Sequence, residues 1–350
     1  MKTVSETEKK LATDVAYLSY VKGWHQKTIA DTLKISQNKV SRLKALAIKL
    51  NIIEFKVNQS HNHMLEKKLP NLVPSLKRAY ITNDANIRNN DQKNAINLGN
   101  VGGEILGKLI VNHPKDEIVI SISCGASLKQ VIDSLIAFFE SSPEYLKCLK
   151  SKTITLYPTA VQHGFLVSET SPSNLVNHFH AQLGKFFYSI KAYTPMIATE
   201  LMANHLLGSA NTQIGNYLLT DAPDICIFGL GLTDDANYVA NVSRYFHNEL
   251  LPEHSKNTLE INHSPIDNAG NPIPRYFSDV INIKIERLRE LANDENHHII
   301  AIGGSERKKD AIFNSLQNPC YDTLITDVTA AEYIINRLEK NNHQQASPAA

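Results

Sequence analysis

The feature that most constrains this chain is the stretch Gln26–Leu50, QKTIADTLKISQNKVSRLKALAIKL, whose pattern predicts two helices joined by a short turn. Ile29, Ala30 and Leu33 place an apolar stripe on the first helix. Ser36 stands where its side-chain oxygen can accept a hydrogen bond from a first-turn amide of the second helix. The stretch therefore has the turn, the cap and the core spacing of a helix-turn-helix unit.

The second helix of this pair separates apolar and polar residues onto two faces. Val40, Leu43 and Ala47 recur at helical spacing and are expected to face inward. On the outward face, amides can pair with adenine, Arg with guanine and Lys with phosphate, which suits the DNA major groove. An ordinary helical hairpin with a solvated basic face is the alternative. The candidate DNA-binding residues are Gln37, Asn38, Lys39, Ser41, Arg42 and Lys44.

The positive charge of the chain is concentrated at its amino-terminal end. Residues 1–60 carry eleven basic and five acidic side chains, a net charge of +6. The other residues carry 25 basic and 30 acidic side chains, a net charge of −5. A basic amino-terminal segment followed by an acidic remainder predicts that the chain binds phosphate groups of DNA through its amino-terminal end only.

Several classes of protein are disfavoured by the sequence. The four cysteines include no CxxC pair, so neither a disulfide framework nor a thiolate zinc site is indicated. The close histidine pairs lack the i, i+4 spacing with a nearby carboxylate that a zinc site needs, and we expect no metal or other cofactor. The first residues lack the apolar core of a signal peptide, and no apolar run reaches membrane-spanning length. These features predict a cytoplasmic protein.

The chain divides into three segments by composition. We predict a helix-turn-helix DNA-binding domain over residues 1–58, an effector domain over 59–340 and a disordered polar tail over 341–350. Ile52–Val57 alternates apolar and polar residues and predicts a short wing strand.

The second segment alternates apolar strands with helices, which indicates an α/β domain with a mostly parallel sheet covered on both faces. The predicted strands are Ala79–Thr82, Glu117–Ser123, Thr153–Tyr157, Asp224–Gly229, His298–Gly303 and Thr323–Thr326. The predicted helices of the whole chain, apart from the helix-turn-helix pair, are Ser5–Lys22, Met64–Leu69, Asn94–Asn112, Ser127–Phe139, Lys309–Leu316 and Val328–Leu338.

Four stretches follow predicted strands, at the sheet edge where ligands of open parallel sheets bind. Ser123–Ser127 combines a glycine, two hydroxyls and a helix amino end, a combination that suits a phosphate. Gly229–Thr233 is a glycine-rich stretch, and Ile300–Ser305 is a second one that is followed by cations. The fourth stretch is Thr326–Asp327, where Asp327 is expected to cap the last helix. A plain tight turn is the alternative for the first stretch, and a solvated basic turn is the alternative for the third.

The order of these parts resembles the SorC family of sugar-binding transcriptional regulators. The matching pieces are IADTLKISQNKVSRL, NIIEFKV, ISISCGAS, ICIFGLG, PIDNAG, IAIGGSERKKDAI and TDVTAAEYI. The resemblance implies an amino-terminal helix-turn-helix and an effector domain similar to sugar-phosphate isomerases and deaminases. The glycines usual in the family's helix turn and before its wing strand are replaced here by Lys34 and Asn51.

The resemblance also implies effector-binding residues. Ser123, Gly125 and Ser127 would hold the effector phosphate, and Asp267 would contact sugar hydroxyls. Lys308 would approach the phosphate or carbonyl end, with Lys309 as the alternative. The full set of candidate effector-binding residues is Ser123, Gly125, Ser127, Gly231, Asp267 and Lys308.

The function predicted from the sequence is a DNA-binding transcriptional regulator whose operator affinity is controlled by a small phosphorylated sugar or related metabolite. A homodimer or homotetramer follows from the need to place two recognition helices on successive major grooves. An isomerase- or deaminase-like enzyme with an accessory DNA-binding head is the main alternative. An architectural DNA-binding protein without an effector leaves the phosphate-type loops unexplained.

Overall fold

The computed structural model describes residues 5–50, 52–53, 61–83, 90–160, 162–163, 169–192, 196–197, 222–233, 258–273 and 282–346. The chain forms two compact units, Met1–Gln59 and Ser60–Ala350. In the described part of the chain, no helix combines the length and the apolar character needed to cross a membrane.

The first unit is a small helical bundle. Ala12, Val15, Ile29, Val40 and Leu43 are at most 2% exposed and belong to one apolar core. The bundle forms because each helix presents an apolar stripe at helical spacing. The predicted wing strand lies outside the described residues, except for two residues in a bend. The elements are α1 (Glu6–Ala16), a π-helical turn (Tyr17–Val21), α2 (Gln26–Leu33) and α3 (Gln37–Lys49).

The second unit is an α/β domain, as the sequence predicts. Its helices are α4 (His63–Leu72), α5 (Asp91–Asn112), α6 (Ala126–Glu140), α7 (Pro143–Leu149), α8 (Pro172–Leu183), α9 (Ile285–Asn293), α10 (Lys309–Ser315) and α11 (Val328–Ala346). Its strands are β1 (Arg78–Thr82), β2 (Glu117–Ile122), β3 (Thr153–Pro158), β4 (Gln162–His163), β5 (Ser189–Ala192), β6 (Met196–Ile197), β7 (Ile225–Leu232), β8 (Leu259–Ile261), β9 (Ser264–Ile266), β10 (His298–Ile302) and β11 (Thr323–Asp327).

Seven of these strands pair in the order β1-β11-β10-β7-β2-β3-β5, and every pair on this path is parallel. The sheet is buried on both faces. Along β10, Ile299 and Ala301 contribute to one apolar core, whereas Ile300 and Ile302 contribute to the other. Successive side chains of a strand point to opposite faces, so the continuous apolar run of β10 packs against the helices on both faces of the sheet.

Strand β7 is longer than the sequence predicts. Residues Leu230–Leu232 continue it and pair antiparallel with β8, which forms a hairpin with β9. The part of the glycine-rich stretch that follows the predicted strand was expected to be a loop, and that expectation is wrong for Leu230–Leu232. Pairing with β8 supplies hydrogen-bond partners beyond the parallel sheet, which keeps these residues extended.

Other differences lie at element ends and in unassigned segments. The last helix runs on to Ala346, so the expected disordered tail from Asn341 begins as helix. Helices α7, α8 and α9 and strands β4, β5, β6, β8 and β9 were not predicted. Ser142 caps α7, and Pro143 occupies its first helical position, a start signal that the sequence does carry.

Helices α5 and α6 pack closely because α5 presents glycines to its neighbour. A Cβ added at Gly103 would lie 2.7 Å from Ser134 Cβ, and one added at Gly107 would lie 2.3 Å from a ring atom of Phe138. Side-chain volume on α6 therefore occupies the space that a Cβ on α5 would need.

We expect Gly103→Ala to lower the free energy of unfolding by about 1–3 kcal/mol, because overpacking outweighs the better helix propensity of alanine. Chemical denaturation of the full chain measures the change. Lys108→Ala, at an exposed position of the same helix, is the control and should change stability far less. A Gly103→Ala protein as stable as wild type would show that α5 and α6 can move apart to accept a Cβ without loss of unfolding free energy.

Candidate DNA-reading surface and effector site

Helix α3 begins as the sequence predicts. Ser36 has an extended backbone (φ −74°, ψ 152°), and its Oγ accepts a hydrogen bond from the Lys39 amide at 3.2 Å. Lys34, two residues earlier, has φ 51°, a left-handed conformation that favours glycine. The turn between α2 and α3 therefore forms with a lysine where the SorC-like pattern has glycine.

The first two turns of α3 present a polar face. Val40, Leu43 and Ala47 are buried, as expected. Lys44 departs from the expectation because it is half-buried, with Nζ 4.7 Å from the centre of the Tyr20 ring. The exposed residues of the predicted set are Gln37, Asn38, Lys39, Ser41 and Arg42.

In the second unit, the turn after β2 places Ser123 and Gly125 at the carboxyl edge of the sheet. Ser123 is 1% exposed; its amide donates to the Ile227 carbonyl, and its Oγ lies 3.4 Å from Asn262 Oδ1. Gly125 immediately precedes α6 and has φ 129°, which strains any residue with a Cβ. The hydroxyl of Ser123 is thus directed to the hairpin residue Asn262.

Ser127 lies in the first turn of α6, a helix of 15 residues, and is half-buried. First-turn amides of a helix have no intrahelical partner and carry partial positive charge. The Gly125 amide donates to the Thr170 carbonyl and the Leu128 amide to the Gly125 carbonyl. The turn therefore places the Ser127 hydroxyl at a helix amino end, a position where anions bind in other proteins.

The structure distinguishes Lys308 from Lys309. Lys308 Nζ donates to the Leu230 carbonyl at 2.8 Å, which places a cation beside the extended end of β7 and next to Gly231. Lys309 instead pairs with Glu306 and lies 4.8 Å from the Tyr333 ring centre. Of the two candidates, Lys308 is the lysine that reaches the sheet edge.

Asp327 ends β11 and caps the helix that follows. Its Oδ1 accepts from the Ala330 amide at 2.9 Å, which confirms the expected cap, and its Oδ2 accepts from Asn94 Nδ2 at 2.8 Å. A Cβ at Gly304 would lie 2.2 Å from Asp327 Oδ2. The double glycine after β10 is therefore required in part by packing against this carboxylate.

Asp267 lies in the turn after β9 and is exposed. Its Oδ1 accepts from the amides of Ala269 and Asn271 at 2.9 and 2.8 Å. The carboxylate thus stabilises its own turn, and the structure does not bring it to Ser123. Its contact with sugar hydroxyls remains a prediction from the resemblance.

The hairpin turn between β8 and β9 holds functional candidates that the sequence analysis missed. Asn262 is 2% exposed, and its Nδ2 donates to the Ile283 carbonyl at 2.8 Å and to the Thr159 carbonyl at 3.3 Å. Asn262 therefore connects the ends of two parallel strands to the segment before α9. An Asn at the first turn position of a two-residue hairpin is a known signal, but His263 replaces the usual glycine and hides it.

His263 is 1% exposed, and its Nδ1 lies 3.2 Å from Glu260 Oε1. Burial alone would lower the pKa of His263, but the adjacent Cys124 thiol and the Glu260 carboxylate outweigh burial and raise the pKa to about 10. The imidazole is therefore positively charged at neutral pH. In the described ranges of the chain, no group of three or more His, Cys, Asp or Glu residues could hold a metal ion.

A protein-family profile described as "Putative sugar-binding domain" matches residues 58–336 of this chain. The chain belongs to this sugar-binding family. No curated protein matches the sequence.

Solved structures share the fold of this family member. The full-length sorbitol operon regulator SorC from Klebsiella pneumoniae is 20% identical, with a TM-score of 0.56 over 95% of this chain and 100% of that one. A DeoR family transcriptional regulator from Listeria monocytogenes is 16% identical, with a TM-score of 0.56 over 78% of this chain and 98% of that one. A transcriptional regulator from Streptococcus pneumoniae is 19% identical, with a TM-score of 0.55 over 80% and 99%. The predicted resemblance to the SorC family is confirmed.

The charge of His263 predicts a pH dependence of stability. Its pKa in the folded protein is above the ordinary value of 6.5, so its contribution is complete below about pH 6.5 and is lost as the pH rises towards 10. We expect the thermal midpoint of the wild type to fall more steeply between about pH 7 and 10 than that of His263→Gly. Scanning fluorimetry measures both curves, with His180→Ala, an exposed position on α8, as control. Parallel curves for wild type and His263→Gly would contradict a buried imidazolium.

Proposed function

We propose that this protein is a DNA-binding transcriptional regulator whose affinity for an operator is controlled by a small phosphorylated sugar or related metabolite. The observation that carries the proposal is the serine-capped helix α3, which exposes five polar residues at its amino end above a buried apolar face. Helix α3 is therefore the proposed DNA-reading element, and the sugar-binding domain of the family is the proposed sensor.

The DNA half of the proposal is supported by charge and shape. The first unit is basic, and the exposed side-chain amides of Gln37 and Asn38 precede the exposed guanidinium of Arg42 on α3. A helix that enters the major groove reads bases with residues near its amino end, while other cations bind phosphates. Because one such helix reads only half a site, we propose that the protein acts as a homodimer or homotetramer.

The effector half is supported by the sheet edge. Ser123, Gly125 and Ser127 form a hydroxyl-bearing turn at the start of α6, and Lys308 lies beside Leu230 on a neighbouring strand. A phosphate supplies the complementary charge and several acceptor oxygens for such a turn. Gly231 lies in the strand that carries Leu230, where the absence of a side chain leaves room beside Glu260.

The enzymatic alternative requires a base placed over the sugar carbons. Asp267 is the carboxylate among the candidate effector-binding residues, and its Oδ1 accepts hydrogen bonds from two amides of its own turn. The Glu260 and His263 pair is a further acid–base candidate, although both groups are almost fully buried. A sensor should return the sugar phosphate chemically unchanged after long incubation, whereas turnover at an enzyme-like rate would favour the isomerase alternative.

We expect Arg42→Ala to weaken operator binding by about 1–3 kcal/mol and to relax specificity at one base pair, because a bidentate contact to guanine is lost. Lys44→Ala should instead weaken all DNA sequences alike and reduce the salt slope by about 1. Titration of labelled DNA at several salt concentrations measures both effects. A folded Arg42→Ala protein that binds operator normally would remove α3 from the reading role.

We expect Ser127→Ala to lower effector affinity by about 1–2 kcal/mol, a typical loss for a hydrogen bond to a charged group. A thermal-shift screen of phosphorylated sugars identifies the effector, since a ligand of the folded state raises apparent stability. Operator binding without effector should survive the substitution. Ser134→Ala, about two turns further along α6, is the matched control and should bind effector normally. Equal affinity for the unphosphorylated sugar would show that the effector does not bind through a phosphate at Ser123–Ser127.

A further inference from the structure

A cavity beside the edge strand β1 lies away from the candidate effector site. It has a volume of about 440 Å³ and is bounded by α4 and by the start of β1. Lys77 and Arg78 lie at the amino end of β1, whereas Ser123 and Ser127 follow the carboxyl end of β2. Because the strands from β1 to β2 are parallel, these two positions are at opposite edges of the sheet. The cavity is large enough to hold a small metabolite.

Three cations line this cavity. Lys67 comes from α4, and Lys77 and Arg78 come from the start of β1; all three are exposed. Lys77 Nζ donates one hydrogen bond to the Asp294 carbonyl at 3.1 Å, and an ammonium group has two further donors. Among the residues that the structure describes, Lys67 and Arg78 have no carboxylate within ion-pair distance. Their donors are therefore available to a ligand.

Glu66 is the carboxylate among the described residues that line the cavity, and its two oxygens already have partners. Oε1 accepts a hydrogen bond from the Ile81 amide at 2.9 Å and lies 2.9 Å from His61 Nδ1. Oε2 lies 2.9 Å from His63 Nδ1. Glu66 therefore binds the amino end of α4 to β1, and it does not pair with any of the three cations. The described lining of the cavity keeps a net positive charge.

The electrostatic environment at this edge of the sheet agrees with the charge of the cavity. Burial and nearby positive groups, among them Arg78 and Lys77, lower the pKa of His298 at the amino end of β10 to about 4. Asp322 lies beside the same cations, since its carbonyl accepts hydrogen bonds from both of their amides. Its side chain is fully buried, and burial raises the pKa of its carboxyl group. The exposed cations are therefore left for an anion from solution to neutralise.

We propose that the cavity beside β1 is a second anion site, which binds a small anion with a phosphate or pyrophosphate group through Lys67, Lys77 and Arg78. A guanidinium presents paired donors that match two phosphate oxygens, and each ammonium adds a point charge. A pyrophosphate group carries several negative charges at neutral pH and so complements three cations better than a single carboxylate does. The site is separate from the candidate effector site and does not depend on the identity of the effector.

The test is calorimetric titration of the full-length protein with inorganic pyrophosphate, without divalent metal and at constant ionic strength. We expect the double variant Lys67→Ala/Arg78→Ala to bind pyrophosphate at least about tenfold more weakly than wild type, because charge-assisted hydrogen bonds are lost. Both side chains are exposed, so the variant should melt at the wild-type temperature without ligand. Lys68→Ala is the matched control: it removes a charge from α4, but Lys68 pairs with Glu339 at 2.8 Å and does not line the cavity.

The outcomes distinguish this cavity from the candidate effector site. Equal pyrophosphate affinity of the double variant and Lys68→Ala would overturn the proposal, and so would the absence of pyrophosphate binding by the wild type. Ser127→Ala should keep the pyrophosphate affinity of the wild type. Loss of binding in Ser127→Ala but not in the double variant would assign the anion to the other edge of the sheet and overturn the proposal. Failure of the wild type to bind any phosphorylated sugar would count against the proposed function and would leave the pyrophosphate result unchanged.

Discussion

Parallel pairing of seven strands is the constraint on which the rest of the second unit depends. The carboxyl ends of parallel strands lie at the same edge of the sheet. The residues that follow β2, β7, β10 and β11 are therefore close in space although they are far apart in the chain. Burial of both faces makes the sheet rigid, because Ile299 and Ile300 of a single strand serve opposite cores. Loops placed at that edge are held by a scaffold that cannot easily deform.

The extension of β7 changes what this edge can do. Leu230–Leu232 run past the parallel sheet and pair with β8, and the β8–β9 hairpin thereby lies against the turn after β2. The Asn262 amide then donates to the carbonyls of Thr159, just after β3, and Ile283, just before α9, and His263 is buried beside Glu260. The extended end of β7 therefore positions the hairpin that contacts the candidate phosphate turn and that holds the buried Glu260–His263 pair.

The first unit follows a simpler physical logic. Its core is made by short amphipathic helices, and its polar surface is what remains when Val40 and Leu43 are buried. The capping hydroxyl of Ser36 sets where α3 begins, and so decides which side chains lie at its amino end. Lys34 shows that the turn tolerates a residue other than glycine, at some cost in backbone strain.

The local patterns of the sequence determined much of this protein. The Ser36 cap, the apolar stripe of α3, the parallel strands and the Asp327 cap were all predictable, because each depends on neighbours within a few residues or on continuous apolar runs. Tertiary structure alone decided the rest. It placed Lys308 rather than Lys309 at the sheet edge, used the Asp267 carboxylate to close its own turn, and brought Asn262 to Ser123. Those outcomes depend on strand register and on pairing between distant segments, which no short-range spacing in the sequence records.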